Sequence, residues 1–275
     1  MNVYERITNQ IIKQLKNDCV PWQKPWRVTS PKNFLSGKAY RGINLLMLAF
    51  SDYECEYWAT FRQIKKAGGT VRKGEHGTAI VYTNWFEVED EKTGDKKELP
   101  FLKQFTVFNL EQTSGIEIPK PTKSPQSKLE RCEQILKTMP NQPTLKNNGG
   151  NAAFYRPTTD TIHLPTWSRF KSSEEYYSTL YHELIHSTGH QSRLARPGIM
   201  DVDHFGSEKY SREELIAEIG SAFLCGMTEI EKHTLENSTA YINGWLKKLQ
   251  NDKRLIVIAA AQAQKAVDYI TGNTK

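Results

Sequence analysis

Residues 182–186 read His-Glu-Leu-Ile-His. On a helix, two histidines four positions apart project their imidazoles from one face, close enough to hold a single metal ion. Glu183 follows the first histidine, where its carboxylate can take a proton from water activated by that metal. At this chain's own His and Glu frequencies, chance would place such a pentapeptide in roughly one chain of this length in seventy. The motif predicts hydrolytic chemistry with His182 and His186 as ligands and Glu183 as general base. The expected ion is Zn2+, with another divalent cation such as Mn2+ as the alternative.

Two imidazoles do not complete a catalytic zinc site, which takes three protein ligands and leaves one position open. In the three-histidine pattern His-Glu-x-x-His-x-x-Gly-x-x-His, Gly189 fits but the last position is Ser192, which excludes that class. The run Ser211-Arg-Glu-Glu-Leu-Ile-Ala-Glu-Ile-Gly-Ser-Ala-Phe resembles the second helix of glutamate-liganded zincins, and it predicts Glu214 as third ligand. Glu218, four residues on, would support a ligand histidine from behind. Ser211-x-x-Glu214 also reads as a helix-capping box, which would pass the ligand role to Glu218. Tyr155, His190, Tyr210 and Tyr241 are candidate oxyanion donors. His190 and His204 otherwise suit surface or capping roles, and His163 is expected to point to solvent. Residues 160–164 form a short strand, either an edge that pairs with a substrate backbone or an ordinary member of a sheet.

The elements that must carry these residues follow from periodicity and caps. Helices are predicted over 3–16, 43–50, 58–67, 129–139, 208–226, 238–251 and 253–271, and Ser172-Ser-Glu-Glu175 opens the motif helix. Strands are predicted at 78–89 and 99–109, joined by the polar stretch EKTGDKK as a hairpin loop. The proline-rich segment 116–127 reads as a linker between residues 1–115 and 128–275. The fold class is α+β with two domains: an N-terminal α+β nucleic-acid-binding domain and a mainly helical domain with a small antiparallel sheet.

Charge separates the two halves. Residues 1–80 hold 13 Lys/Arg against 6 Asp/Glu, while the remaining 195 hold 24 against 25. All of the basic excess lies in the first third, which suggests a polyanion partner for that module. Aromatics interleave with the cations there, as a single-strand surface requires: rings stack on bases while cations follow phosphates. The candidate contacts are Trp22, Lys24, Trp26, Arg27, Lys38, Tyr40, Arg41, Arg62, Lys65, Lys66, Arg72 and Lys73. The bland alternative is that each Trp or Tyr packs in a core with a polar edge.

The 275 residues are 38% apolar and 25% charged, a globular composition. No apolar run reaches the roughly 18–20 residues of a membrane span, so no membrane partner is expected. The N-terminus lacks the features of a signal peptide. Cys19, Cys55, Cys132 and Cys225 are scattered, which fits reduced thiols and a cytoplasmic location rather than a cysteine zinc site.

Three stretches together, WQKPW, AYRGINLLML and WATFRQIKKAGGTVRKGEHGTAIVY, resemble the N-terminal domain of the ArdC family of antirestriction proteins. YHELIHSTGHQSRLAR and SREELIAEIGSAFL resemble that family's zincin-like metallopeptidase domain, and the final helices fit as well. The resemblance covers nearly the whole chain. It implies a protein of conjugative plasmids or other mobile elements that binds single-stranded DNA without sequence preference and helps incoming DNA escape restriction. It also implies a metal site at His182, Glu183, His186 and Glu214, acting on an unidentified protein substrate. Two other functions fit the same residues: a repair protease for DNA–protein crosslinks, and a non-catalytic DNA-coating protein whose metal is structural.

Overall fold

The computed structural model describes residues 2–23, 31–49, 51, 53–89, 96–119, 126–147, 150–200, 208–230 and 239–273. The chain opens with α1 (Val3–Lys16), as its apolar spacing predicts. Asn2 caps it, accepting from the Glu5 N–H while the Glu5 carboxylate accepts from the Asn2 N–H. The first half continues with β1 (Lys32–Asn33), α2 (Ile43–Leu48), β2 (Tyr57–Thr60), α3 (Phe61–Lys66), β3 (Thr70–Val71), β4 (Thr78–Glu89), β5 (Lys96–Asn109) and β6 (Thr113–Ser114). One sheet has the order β1-β2-β5-β4, and β3 pairs with β6 beside it. The expected hairpin is present as the long antiparallel pair β4–β5. Residues 90–95 of its polar loop lie outside the described residues, and Lys96 and Lys97 belong to β5.

The helix expected at 58–67 begins later. Residues 57–60 form β2, because Tyr-Trp-Ala-Thr suits a half-buried strand and Thr60 starts the helix only afterwards. The Thr60 hydroxyl accepts from the Gln63 N–H, and the Gln63 amide oxygen accepts from the Thr60 N–H.

The second half contains α4 (Lys128–Thr138), β7 (Thr144–Asn147), β8 (Phe154–Arg156), β9 (Thr161–Leu164), α5 (Ser173–Ser187), α6 (Pro197–Met200), α7 (Glu208–Thr228), α8 (Thr239–Asn251) and α9 (Leu255–Ile270). Its sheet has the order β7-β9-β8, with β7 parallel and β8 antiparallel to β9, so it is mixed. The strand at 160–164 is therefore the central one, with all four side chains of β9 buried, and it is no edge for a substrate. His163 is likewise buried rather than solvent-facing: it stacks on Phe154 at 4.6 Å between ring centres. A four-residue run between two neighbours buries both faces, which alternation alone did not reveal.

From Ser211 to Thr228, helix α7 leaves only Arg212 and Met227 exposed, as a helix enclosed by others does. It packs against α5 and α9, and Leu215, Ile216, Ile219, Phe223 and Leu224 are buried along it. The largest core also takes Ile7, Ile11 and Leu15 from α1, and Leu46 and Met47 from α2. The two halves thus share one core. Polar ties reinforce it: Thr8 donates to the Lys253 carbonyl at 2.6 Å, the Gly42 N–H donates to Gln264 at 2.9 Å, and Arg41 pairs with Asp268. Smaller clusters around Trp58 and Ile64 lie within the first half. All four cysteines are free thiols, with Cys132 and Cys225 buried. Among the described residues no helix is long and apolar enough to cross a membrane.

Candidate metal centre

The Ser172 hydroxyl starts α5 by accepting from the Glu175 N–H at 3.1 Å. One face of that helix then carries both His182 and His186 toward α7. The two helices approach closely because α7 has glycine at the contact. A Cβ built on Gly220 would lie 2.6 Å from Cδ1 and 2.8 Å from Cγ1 of Ile185. Helix α7 begins at Glu208, so Ser211 sits inside it and caps nothing; its hydroxyl instead accepts from Lys248 Nζ at 2.7 Å. Glu214 is thereby released from the capping alternative.

The Glu214 carboxylate meets both imidazoles. His182 Nε2 lies 3.6 Å from Glu214 Oε2, His186 Nε2 lies 3.5 Å from Glu214 Oε1, and the two Nε2 atoms are 3.1 Å apart. Ligand bonds of about 2.0–2.1 Å in a tetrahedron set their atoms about 3.3–3.4 Å apart, so this donor set fits a divalent cation. Among the described residues this is the group of histidines and acids whose donor atoms cluster tightly enough to hold one. His182 and Glu214 keep side-chain exposures of 19% and 29%, so one side of the group faces solvent. Glu183 is buried, and its charge acts on His186.

Sequence reading missed Glu213. Its carboxylate is 4% exposed and lies 3.5 Å from His186 Nδ1, the nitrogen turned away from the metal position. That nitrogen is buried, and it lacks a closer hydrogen-bond partner among the described residues. Arg196, also buried, holds Glu213 through Nε at 3.0 Å and through Nη2, and it donates to Thr188 Oγ1 at 2.6 Å and the Ile185 carbonyl at 2.8 Å. Burial pushes the Glu213 carboxyl up, but His186 and Arg196 outweigh it and hold the group below the usual carboxylate range. Burial also disfavours a charged His186, yet Glu213, Glu214 and Glu183 prevail and raise its pKa to about 9. Arg196 offsets the charge of Glu213, while Glu183 and Glu214 leave acidic charge beside the two imidazoles. Helix α5 ends at Ser187, two residues before Gly189, where a Cβ would meet Ile199 Cγ1 at 2.5 Å and Arg196 Nη2 at 3.1 Å.

Two domain families match the chain: residues 1–108 match the N-terminal domain of anti-restriction factor ArdC, and residues 130–262 match a zincin-like metallopeptidase. Over 100% of both chains the structure superposes on the metal-free crystal structure of the antirestriction protein ArdC from plasmid R388, with TM-score 0.79 and 37% identity. The chain belongs to the ArdC family of antirestriction proteins. The Mn(II)-bound structure of the R388 protein matches with TM-score 0.78, covering 99% of this chain and 98% of that one. An uncharacterised protein, y4eC, of Sinorhizobium fredii (strain NBRC 101917 / NGR234) is 33% identical over 98% of this chain and 91% of its own length. Two DNA primases TraC of Escherichia coli are 39% and 38% identical over 97% of this chain, which spans only 27% and 20% of their lengths.

The other expected site residues are distributed unevenly. The Tyr155 hydroxyl donates to Asp160 and accepts from Arg193, so it is engaged beside β9. His190 Nδ1 faces the Ser192 hydroxyl at 2.8 Å. The charges of Glu218 and Glu214 both act on Tyr241, whose hydroxyl accepts from Trp22 Nε1 at 3.2 Å. His204 and the Tyr210 side chain lie outside the described residues.

Of the expected DNA contacts, Lys24, Trp26 and Arg27 also lie outside the described residues. Trp22 is 0% exposed and packs edge-on against Trp245, so it offers no free ring face and is a core residue. Tyr40 is half-buried against the Trp58 cluster. Lys38, Arg62, Lys65, Lys66, Arg72 and Lys73 are exposed. Two cations are committed elsewhere in part: Arg41 to Asp268, and Arg72 to Glu75 at 3.0 Å.

Proposed function

We propose that this ArdC-like antirestriction protein binds single-stranded DNA without sequence preference and carries a hydrolytic metal site that acts on a protein substrate. His182, His186 and Glu214 hold the ion, Zn2+ or alternatively Mn2+, and Glu218 steadies the site from α7. One observation carries the enzymatic half: the donor atoms stand at tetrahedral ligand spacing with one side open to solvent. A purely structural ion would be enclosed by four ligands. When bound, the ion supplies Lewis acidity toward a scissile carbonyl and toward water. Glu183 takes the proton from the attacking water and delivers it to the leaving amine. Its burial on α5 keeps bulk water from competing for that proton. The protein acts in the bacterial cytoplasm, on DNA brought in by a mobile element.

The test is a restriction-protection assay on single-stranded and duplex DNA with wild type, Glu183→Gln and His182→Ala. Glu183→Gln is expected to bind metal and DNA normally and to lose peptide hydrolysis. Full protection by this variant would assign protection to DNA coating and leave hydrolysis as a separate activity. Cleavage of varied DNA-bound proteins, stimulated by single strands, would favour crosslink repair instead. A Glu183→Gln protein that still hydrolyses peptides would refute the assigned base.

A further inference from the structure

Burial sorts the described aromatics of the first half into two groups. Trp22 and Trp58 are core residues, and Phe34, Tyr40, Tyr53 and Tyr57 pack on the small clusters. Phe61, Tyr82 and Phe105 do not: they are 50%, 57% and 38% exposed. A ring left in water gives up apolar burial, so three in one module ask for a reason.

The sheet brings two of them together. In the β4–β5 register Tyr82 faces Lys103 and Ile80 faces Phe105, which puts Tyr82 and Phe105 diagonally on one face. Their rings meet edge to face at 6.4 Å, and Lys103 Nζ sits 5.3 Å over the Phe105 ring. On the other side of β5, β2 ends with Thr60 opposite Val107, two residues from Phe105. Phe61 follows Thr60 and starts α3, and Lys65 Nζ lies 5.8 Å from its ring. Arg62 and Lys66 are exposed on the same short helix. Three of the described acids of this half are committed: Glu75 to Arg72 and Gln112, Glu56 to Lys32, and Glu111 to the N–H groups of Glu54 and Cys55. Among the described residues Arg62, Lys65, Lys66 and Lys103 have no carboxylate partner.

We infer that Tyr82 and Phe105 form a stacking platform for the bases of single-stranded DNA, with the exposed Phe61 as a further ring and Arg62, Lys65, Lys66 and Lys103 following its phosphates. This rests on the DNA binding proposed above and gives it a site other than the one suggested by Trp22 and Tyr40. The occupant must offer flat apolar faces together with repeated negative charge. A single strand does both, whereas a duplex hides its base faces in its own stack. Every base has such a face, so the platform reads no sequence.

The experiment is an anisotropy titration of the full chain with labelled oligo(dT) and with a duplex of equal length, over a salt series. Wild type binds oligo(dT) more tightly than duplex. Phe61→Ala, Tyr82→Ala and Phe105→Ala each weaken oligo(dT) binding by about 5–150-fold without changing the salt slope. Lys65→Ala and Lys103→Ala each reduce that slope by about 0.7. Tyr82→Phe restores binding and Tyr82→Leu does not, which a role in packing alone would not produce; unchanged melting midpoints verify folding. If wild type binds oligo(dT) and the three alanine variants match it, or if they lose duplex binding equally, the platform is overturned while DNA binding stands. If wild type binds no DNA, the DNA-binding function itself fails.

Discussion

Replacing Glu213 by glutamine tests whether α7 supplies a positioning carboxylate as well as a ligand. The substitution keeps the shape and removes the charge 3.5 Å from His186 Nδ1. A carboxylate there holds the proton on Nδ1 and so directs the Nε2 lone pair at the metal. Loss of such a partner costs about 10–100-fold in metal affinity, or about 1.4–2.7 kcal/mol. Folding suffers separately, because Arg196 is buried and loses its counter-charge. Breaking a buried pair costs about 3–5 kcal/mol. The assay is competition with a chromophoric chelator for Zn2+ and for Mn2+, alongside urea unfolding of the metal-free protein. Arg196→Gln is the control. It breaks the same ion pair but keeps the Glu213 side chain beside His186, so metal affinity falls less than in Glu213→Gln. If both variants lose metal affinity in step, or if Glu213→Gln binds metal like wild type while Glu214→Ala does not, the positioning argument is wrong.

Other outcomes follow from packing and charge. Gly220→Ala raises helix propensity by about 1 kcal/mol, yet its methyl meets the stiff Ile185 side chain at 2.6 Å; a net loss of about 1–2 kcal/mol in urea unfolding, with weaker metal binding, is expected. Arg193 and Tyr155 hold Asp160 below the usual carboxylate range, against the upward push of burial. Because its folded pKa lies under its unfolded value, the carboxylate stabilises the protein above pH ~4 and that contribution fades as pH falls through the folded pKa. Asp160→Asn should therefore lower stability by about 1–3 kcal/mol at pH 7 and converge with wild type at low pH. Residues 1–115 expressed alone should lack cooperative thermal unfolding by circular dichroism, because α1 and α2 bury Ile7, Ile11, Leu15 and Leu46 in a core shared with the second half.

Local chemistry explains what was legible. Helix α1, the β4–β5 pair, α4, α5, α7 and α9 lie within a few residues of their expected positions, because caps, periodicity and glycine stops act over one or two turns. The spacing of His182 and His186 is a property of the helix itself. Gly189 and Gly220 were visible as glycines, but the reason for them, contact with Ile199 and Ile185, belongs to the packed helices.

The chain order alone determined that two imidazoles share one helical face with a carboxylate beside the first of them, that a second helix brings acids, and that basic charge gathers in the first third. Tertiary structure decided the rest. Three successive helical positions point in three directions, and only the packing of α5 on α7 showed that Glu214 meets both Nε2 atoms while Glu213 backs His186. Burial decided that Trp22 is core whereas Phe61, Tyr82 and Phe105 face water. An aromatic residue has the same identity in either setting, and which face it keeps dry depends on neighbours from distant parts of the chain.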